Sequence, residues 1–201
     1  IGAGVTVAHA LGSQEDDVVH NTIHTALPTA LFSGIILTII GVSCAKTFLG
    51  WMGTPKAVLP LSTIYMQIYF AGITFTMVYN FCAAILRAAG DTQSPLKFLT
   101  IAGVVNVVLN LIFVHAFHMN VEGVALATVI SQAVSAVLVV RELMIRTDAC
   151  RLELKKMRFY RIQLFKMLRI GLPAGIQSSL FSISNVLIQS SVNSFGDIFM
   201  S

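Results

Sequence analysis

The sequence predicts an all-α integral membrane protein, a polytopic helical bundle, on three observations. Of its 201 residues, 56% are hydrophobic and 11% charged, against about 45–50% and about 25% in ordinary soluble domains. The apolar residues come in long runs separated by short polar stretches, the order expected when lipid is the solvent. Those runs are too long for barrel strands and lack the period of two that strands would show. The composition argues against a packed soluble enzyme, which would need polar residues to coat its outside.

The elements follow in chain order. "IGAGVTVAHALG" at the start is expected to be the second half of a span that begins upstream, since Ile1 follows neither a start methionine nor the charged n-region of a signal peptide. Residues 23–45, 58–86, 96–117, 121–143 and 168–195 then form five runs, each long enough for the roughly 20 helical residues that cross a bilayer. Between the second and third lies "YNFCAAILRAAGDTQSPLKF". Here Arg87 can snorkel at the membrane surface, Gly90 can take the left-handed position that ends a helix, and Asp91, Thr92 or Ser94 can cap the next helix ahead of Pro95. "WMGTP" repeats the device at the opposite membrane face, with Gly53 closing one helix and Thr54 and Pro55 opening the next.

Charge orients the spans. If the turn from Arg87 to Pro95 is cytoplasmic, alternation places all but Lys46 and Lys56 of the 13 Lys and Arg residues on the cytoplasmic side, as the positive-inside rule expects. The net charge of +4 therefore concerns topology, and no nucleic-acid partner is expected. The basic stretch at 146–167 divides the chain into residues 1–145, most of one transmembrane bundle, and residues 168–201, the first helix of another. The end of this linker and the start of the following run, "FYRIQLFKMLRIGLP", have the amphipathic character of a segment in the headgroup plane. Cys44, Cys82 and Cys150 are far apart and show neither metal spacing nor a paired pattern. The five histidines are scattered, with His115 and His118 the one close pair in a loop. No metal, cofactor or enzymatic centre is expected.

"MGTP" at 52–55, "YNFCAAILRAAGDTQSPLKF" at 79–98, "NVVLNLIFV" at 106–114 and "GVALATVISQAVSAVL" at 123–138, in that order and separation, resemble the multidrug and toxic compound extrusion (MATE) transporters. "IGLPAGIQSSLFSISN" at 170–185 resembles the start of that family's second half. The resemblance implies a fragment running from late helix 2 to helix 7 of a twelve-helix protein, with the remainder of the same chain as its structural partner. It further implies an antiporter of a bacterial inner membrane that exports small organic, often cationic, compounds in exchange for H+ or Na+. The branch typified by DinF looks nearer than the NorM type, because the turns after Pro173 offer Gln177, Ser178 and Phe181 where NorM-type members carry an acid. Where many members have an aspartate in the motif opened by Asn106, this chain has Asn110.

Two kinds of helix face are then expected. Ala26, Ala30 and Gly34, and Gly123, Ala127, Ser131 and Ser135, recur every four residues as small-residue packing stripes. Asn106 and Asn110 share one face of the third run, and Ser178, Ser182, Asn185 and Gln189 share one face of the last. Amides in a membrane need partners, so these residues, with Gln177, are expected either to form interhelical hydrogen bonds or to line a hydrated cavity. Tyr65, Tyr69 and Asn80 form a weaker polar cluster on the second run. Two other functions stay open at this level: a flippase for lipid-linked oligosaccharides, which would favour a strongly basic cavity, and a membrane scaffold without transport, which would need no polar stripe. Every carboxylate falls in a loop or at a predicted membrane edge, so the 201-residue chain alone is not expected to perform coupled transport.

Overall fold

The computed structural model describes residues 1–51 and 58–194, with side chains described as far as Asn185 and at Leu187 and Ile188. Gly53, Thr54 and Pro55, expected to form the outer turn, lie outside the described residues, as does the side chain of Gln189. Seven α-helices are described: α1 (Gly2–Gly12), α2 (Asp16–Trp51), α3 (Leu59–Ala71), α4 (Ile73–Ala88), α5 (Gln93–Leu111), α6 (Val121–Ile145) and α7 (Arg161–Ser194). A π-helical turn, Ile112–Ala116, prolongs α5, and a 3-10 turn, Leu154–Lys156, lies in the linker between α6 and α7.

By length and apolar composition, α2, α5 with its π turn, and α6 can each cross a membrane, with mean hydropathy of 2.0, 2.1 and 2.1. The expected second span is broken: α3 and α4 meet at Gly72 with a 42° bend. A Cβ at Gly72 would sit 2.6 Å from the Val129 side chain of α6, so the bend is placed where the backbone must pass close to a neighbour. The fifth expected run falls in α7. Helix α7 is long but does not meet the same apolar standard, because Gln177, Ser178, Ser179, Ser182, Ser184 and Asn185 interrupt its hydrocarbon surface. The helix starts at Arg161, so the amphipathic stretch runs into α7 without a break.

The core lies where α1, α2, α4 and α6 meet. Val7, Val19, Ile23, Ile85, Leu86, Val139 and Leu143 are buried there. The two small-residue stripes serve packing: Ala26, Ala30, Gly34, Gly123, Ala127, Ser131 and Ser135 are all buried. At Gly34 an added Cβ would stand 2.7 Å from the Thr74 Cα on α4. With no hydrophobic force between helices in lipid, such backbone proximity is what supplies dispersion contact.

The turn at 87–95 forms as the sequence expects. Gly90 has φ +85°, and the Asp91 N–H returns to the Leu86 carbonyl at 2.9 Å, closing α4 in the left-handed manner that glycine allows. Asp91 then opens α5, its Oδ1 accepting the Ser94 N–H at 3.0 Å. The Tyr79 hydroxyl donates to the Pro95 carbonyl at 2.8 Å and ties the two helices together. Arg87 and Thr92 remain exposed.

Candidate functional site

A polar ladder joins α5 to α6 within these apolar walls. Asn110 Nδ2 donates to Asn106 Oδ1 at 3.0 Å, and Asn106 Nδ2 donates at 3.4 Å to both Thr128 Oγ1 and Ser131 Oγ. Those hydroxyls spend their own protons on backbone carbonyls, Thr128 on Val124 at 3.0 Å and Ser131 on Thr128 at 2.8 Å. The donors therefore all point one way along the ladder. Its far end, Asn110 Oδ1, is buried and has no hydrogen-bond partner among the described residues. A buried acceptor without a donor costs about 1–3 kcal/mol, so this atom is a place where a donor or a cation would be held favourably. Asn106 lies 13 residues beyond the start of α5, or about 20 Å at the helical rise, which puts it well inside a hydrocarbon layer about 30 Å thick. Sequence spacing finds the two asparagines; Thr128 belongs to the ladder only because α6 packs in this register.

A separate cavity of about 610 Å³ opens between α1, α4 and α7. Asn80, Thr29 and Ser179 are its polar side chains, set among Phe81, Leu168, Leu172 and Ile176. The size lies within the range for small-molecule sites, and among the described residues no Lys or Arg lines it. Asn80 is thus a cavity residue, but the expected grouping with Tyr65 and Tyr69 is not formed. Those tyrosines stack at 6.4 Å in a second recess of about 720 Å³ with Ser62, Met66 and Phe70. Nine helical residues and the bend at Gly72 intervene between Tyr69 and Asn80.

The polar face of α7 lies on the outside of the described chain. Gln177, Ser178, Ser182 and Asn185 are exposed, and Ser182 returns its hydroxyl proton to the Ser178 carbonyl of its own helix at 2.9 Å. The cavity face of α7 is instead Leu168, Gly171, Leu172, Gly175, Ile176 and Ser179. A Cβ at Gly2 of α1 would run into the Met167 carbonyl and lie 3.1 Å from the Gly171 backbone nitrogen, so α1 and α7 meet backbone to backbone along this face of α7.

The linker is ordered by charge and by burial. Arg146 holds Asp148 with Nη2 to Oδ2 at 2.6 Å and reaches Asp91 Oδ2 at 3.6 Å, joining the linker to the 87–95 turn. The Arg146 guanidinium keeps the Asp148 carboxyl below its ordinary value, and the Ser94 N–H, with Arg146, does the same for Asp91. Cys150 and Leu152 enter the core, and burial pushes the Cys150 thiol up to about 11. The three cysteines are free. His20 and His24, one helical turn apart on α2, stack at 4.0 Å, a pair that in the sequence only the i, i+4 spacing signals.

Comparison with known proteins now bears on this geometry. The profile of the MatE family matches residues 1–112. The chain belongs to the MatE family. Over 157 residues this MatE chain is 34% identical to the probable multidrug resistance protein YpnP of Bacillus subtilis, covering 78% of the chain and 35% of that protein. It is 27% identical to the probable multidrug resistance protein YoeA of the same organism over 97% of the chain and 44% of the relative. The chain thus spans less than half the length of these relatives. A solved MATE structure in the bent conformation superposes with a TM-score of 0.89 at 24% identity, covering 97% of this chain and 44% of that one. An inward-facing MATE transporter of the MOP superfamily superposes with 0.79 at 25% identity, covering 86% and 40%. The helical membrane fold is therefore that of MATE transporters.

Proposed function

We propose that this chain is the portion of a multidrug efflux antiporter that holds its coupling-ion and substrate contacts within the first bundle. In this reading residues 1–145 form most of that bundle, residues 146–167 form the cytoplasmic linker, and residues 168–201 open the second bundle. The whole protein sits in a bacterial inner membrane and exports small organic compounds, many of them cationic, against an inward gradient of H+ or Na+. Export without covalent chemistry requires only that substrate and ion favour different conformations of the two bundles.

The observation that carries the proposal is the one-directional amide ladder ending on an acceptor without a donor, Asn110 Oδ1, between two membrane-crossing helices. A neutral carboxamide does not take up a proton at physiological pH. Its oxygen can instead coordinate Na+, a hard cation that takes oxygen ligands, or accept from a protonated group or an ammonium substrate. The cavity at Asn80 suits the apolar body of the compound, and its lack of basic residues suits a cation better than an anionic lipid-linked sugar.

The test is ethidium efflux from energised cells producing the full-length protein that contains this chain. Collapse of the relevant ion gradient should abolish efflux, and Asn110→Leu should reduce it about tenfold or more, the effect of losing one charge-assisted contact worth about 1.5–3 kcal/mol. Efflux indifferent to both gradients, or to the substitution, contradicts the proposal.

A further inference from the structure

Helix α2 carries a proline in its interior, Pro28, and a proline cannot donate to the carbonyl four residues earlier. That carbonyl belongs to His24. In this chain it does not go unused: the Arg158 N–H of the α6–α7 linker donates to it at 3.3 Å. Two further linker amides bind the same turn of α2. The Glu153 N–H donates to His24 Nε2 at 3.0 Å, and the Tyr160 N–H donates to Thr25 Oγ1 at 3.2 Å. Thr25 gives its own proton to the Asn21 carbonyl at 2.7 Å, the nearer of two acceptors, the other being the Arg158 carbonyl at 3.3 Å. His24 and Thr25 are wholly buried beneath the linker.

We propose that His24 and Thr25 are positioning residues: with the carbonyl freed by Pro28 they form a latch that fixes the linker, and hence the start of α7, on the first bundle. The roles of the ring nitrogens follow from geometry. Nδ1 lies 2.7 Å from the His20 carbonyl and must donate to it, so Nε2, facing an N–H, must be the bare nitrogen. The latch therefore requires the neutral imidazole in one tautomer. Protonation replaces the acceptor with a second N–H facing the Glu153 amide, and that contact opens as pH falls. The titratable groups acting on the ring are His20, stacked on it from the same helix, and Glu153 of the linker, itself paired with Lys156. Since α7 begins at Arg161, one residue beyond the last latched amide, release frees the segment that any movement of α7 relative to α2 must turn about.

Amide hydrogen exchange of the 201-residue chain in detergent micelles reads the latch without any transport. The Glu153, Arg158 and Tyr160 amides are expected to be protected at pH 8, and the Glu153 amide to lose protection at pH 5 after correction for intrinsic exchange. Thr25→Val should speed exchange at Tyr160 by about five- to tenfold, the effect of one lost hydrogen bond, while Thr25→Ser keeps it slow. His24→Gln places an oxygen near the Nε2 position and cannot titrate, so protection at Glu153 should persist and no longer depend on pH. Fast exchange at all three amides in the unmodified chain, or a pH response at Glu153 that survives His24→Gln, overturns the proposal. Loss of efflux in the whole protein with these exchange patterns intact would count against the transport reading alone.

Discussion

The amide ladder makes an unequal demand on its two asparagines, and replacing each by leucine should expose it. Asn106→Leu removes all three ladder bonds, to Asn110, Thr128 and Ser131, and leaves the Asn110 amide with neither donor nor acceptor satisfied. At about 0.6 kcal/mol per interhelical hydrogen bond in a membrane, with a further cost of about 1 kcal/mol for the stranded amide, the loss is about 2–3 kcal/mol. Asn110→Leu removes one bond but also deletes the unpartnered Oδ1, so its two effects oppose and the net change stays within about 1 kcal/mol. The assay is equilibrium unfolding of the 201-residue chain in mixed micelles with increasing SDS, followed by far-UV circular dichroism. An Asn110→Leu destabilisation equal to or larger than that of Asn106→Leu would refute the reasoning, because it would make Asn110 a structural member with satisfied partners.

Three further outcomes follow from the same geometry. Gly34→Val should separate α2 from α4, since its Cβ meets the Thr74 backbone at 2.7 Å; a destabilisation of about 1–3 kcal/mol is expected in the SDS titration, and an unchanged midpoint contradicts the packing. The Asp148 carboxyl is held below its ordinary value of 3.8 by Arg146, so its stabilising contribution is present above pH 3.8 and fades as pH falls through the lower folded value. Arg146→Gln should flatten that acid-side loss, and identical acid titrations of the two proteins would dismiss the contact as energetically empty. With the 87–95 turn cytoplasmic, Ser94→Cys in intact cells should resist a membrane-impermeant maleimide and react with a permeant one, whereas rapid labelling by the impermeant reagent reverses the topology.

Helix positions and turn chemistry were legible in the sequence because each depends on neighbours in the chain. Gly90 adopts φ +85° and Asp91 caps α5 for reasons contained within a few residues. The small-residue stripes on α2 and α6 were legible for the same reason, as a helical period places them on one side before any partner is known. What could not be read was rotation and tertiary partnership. The polar face of α7 is conspicuous as a pattern, yet in the packing of α7 on α1, closest at Gly2 and the Met167 carbonyl, Ser179 faces the cavity while Ser178 and Asn185 stay outside. His24 and Glu153 stand 129 residues apart, and only the fold brings them within a hydrogen bond. Pro28 was a readable signal for that site: a helix-interior proline announces a carbonyl that needs another donor.

Reconstitution of the full-length protein in liposomes, with an imposed Na+ or pH gradient and a fluorescent organic cation, tests most directly whether the ladder is part of a coupled transporter. The expected result is saturable, gradient-driven movement of the cation that Asn110→Leu slows about tenfold or more while the protein still inserts and its unfolding midpoint shifts little. Movement that proceeds equally well in Asn110→Leu, or that ignores both gradients, would contradict the account.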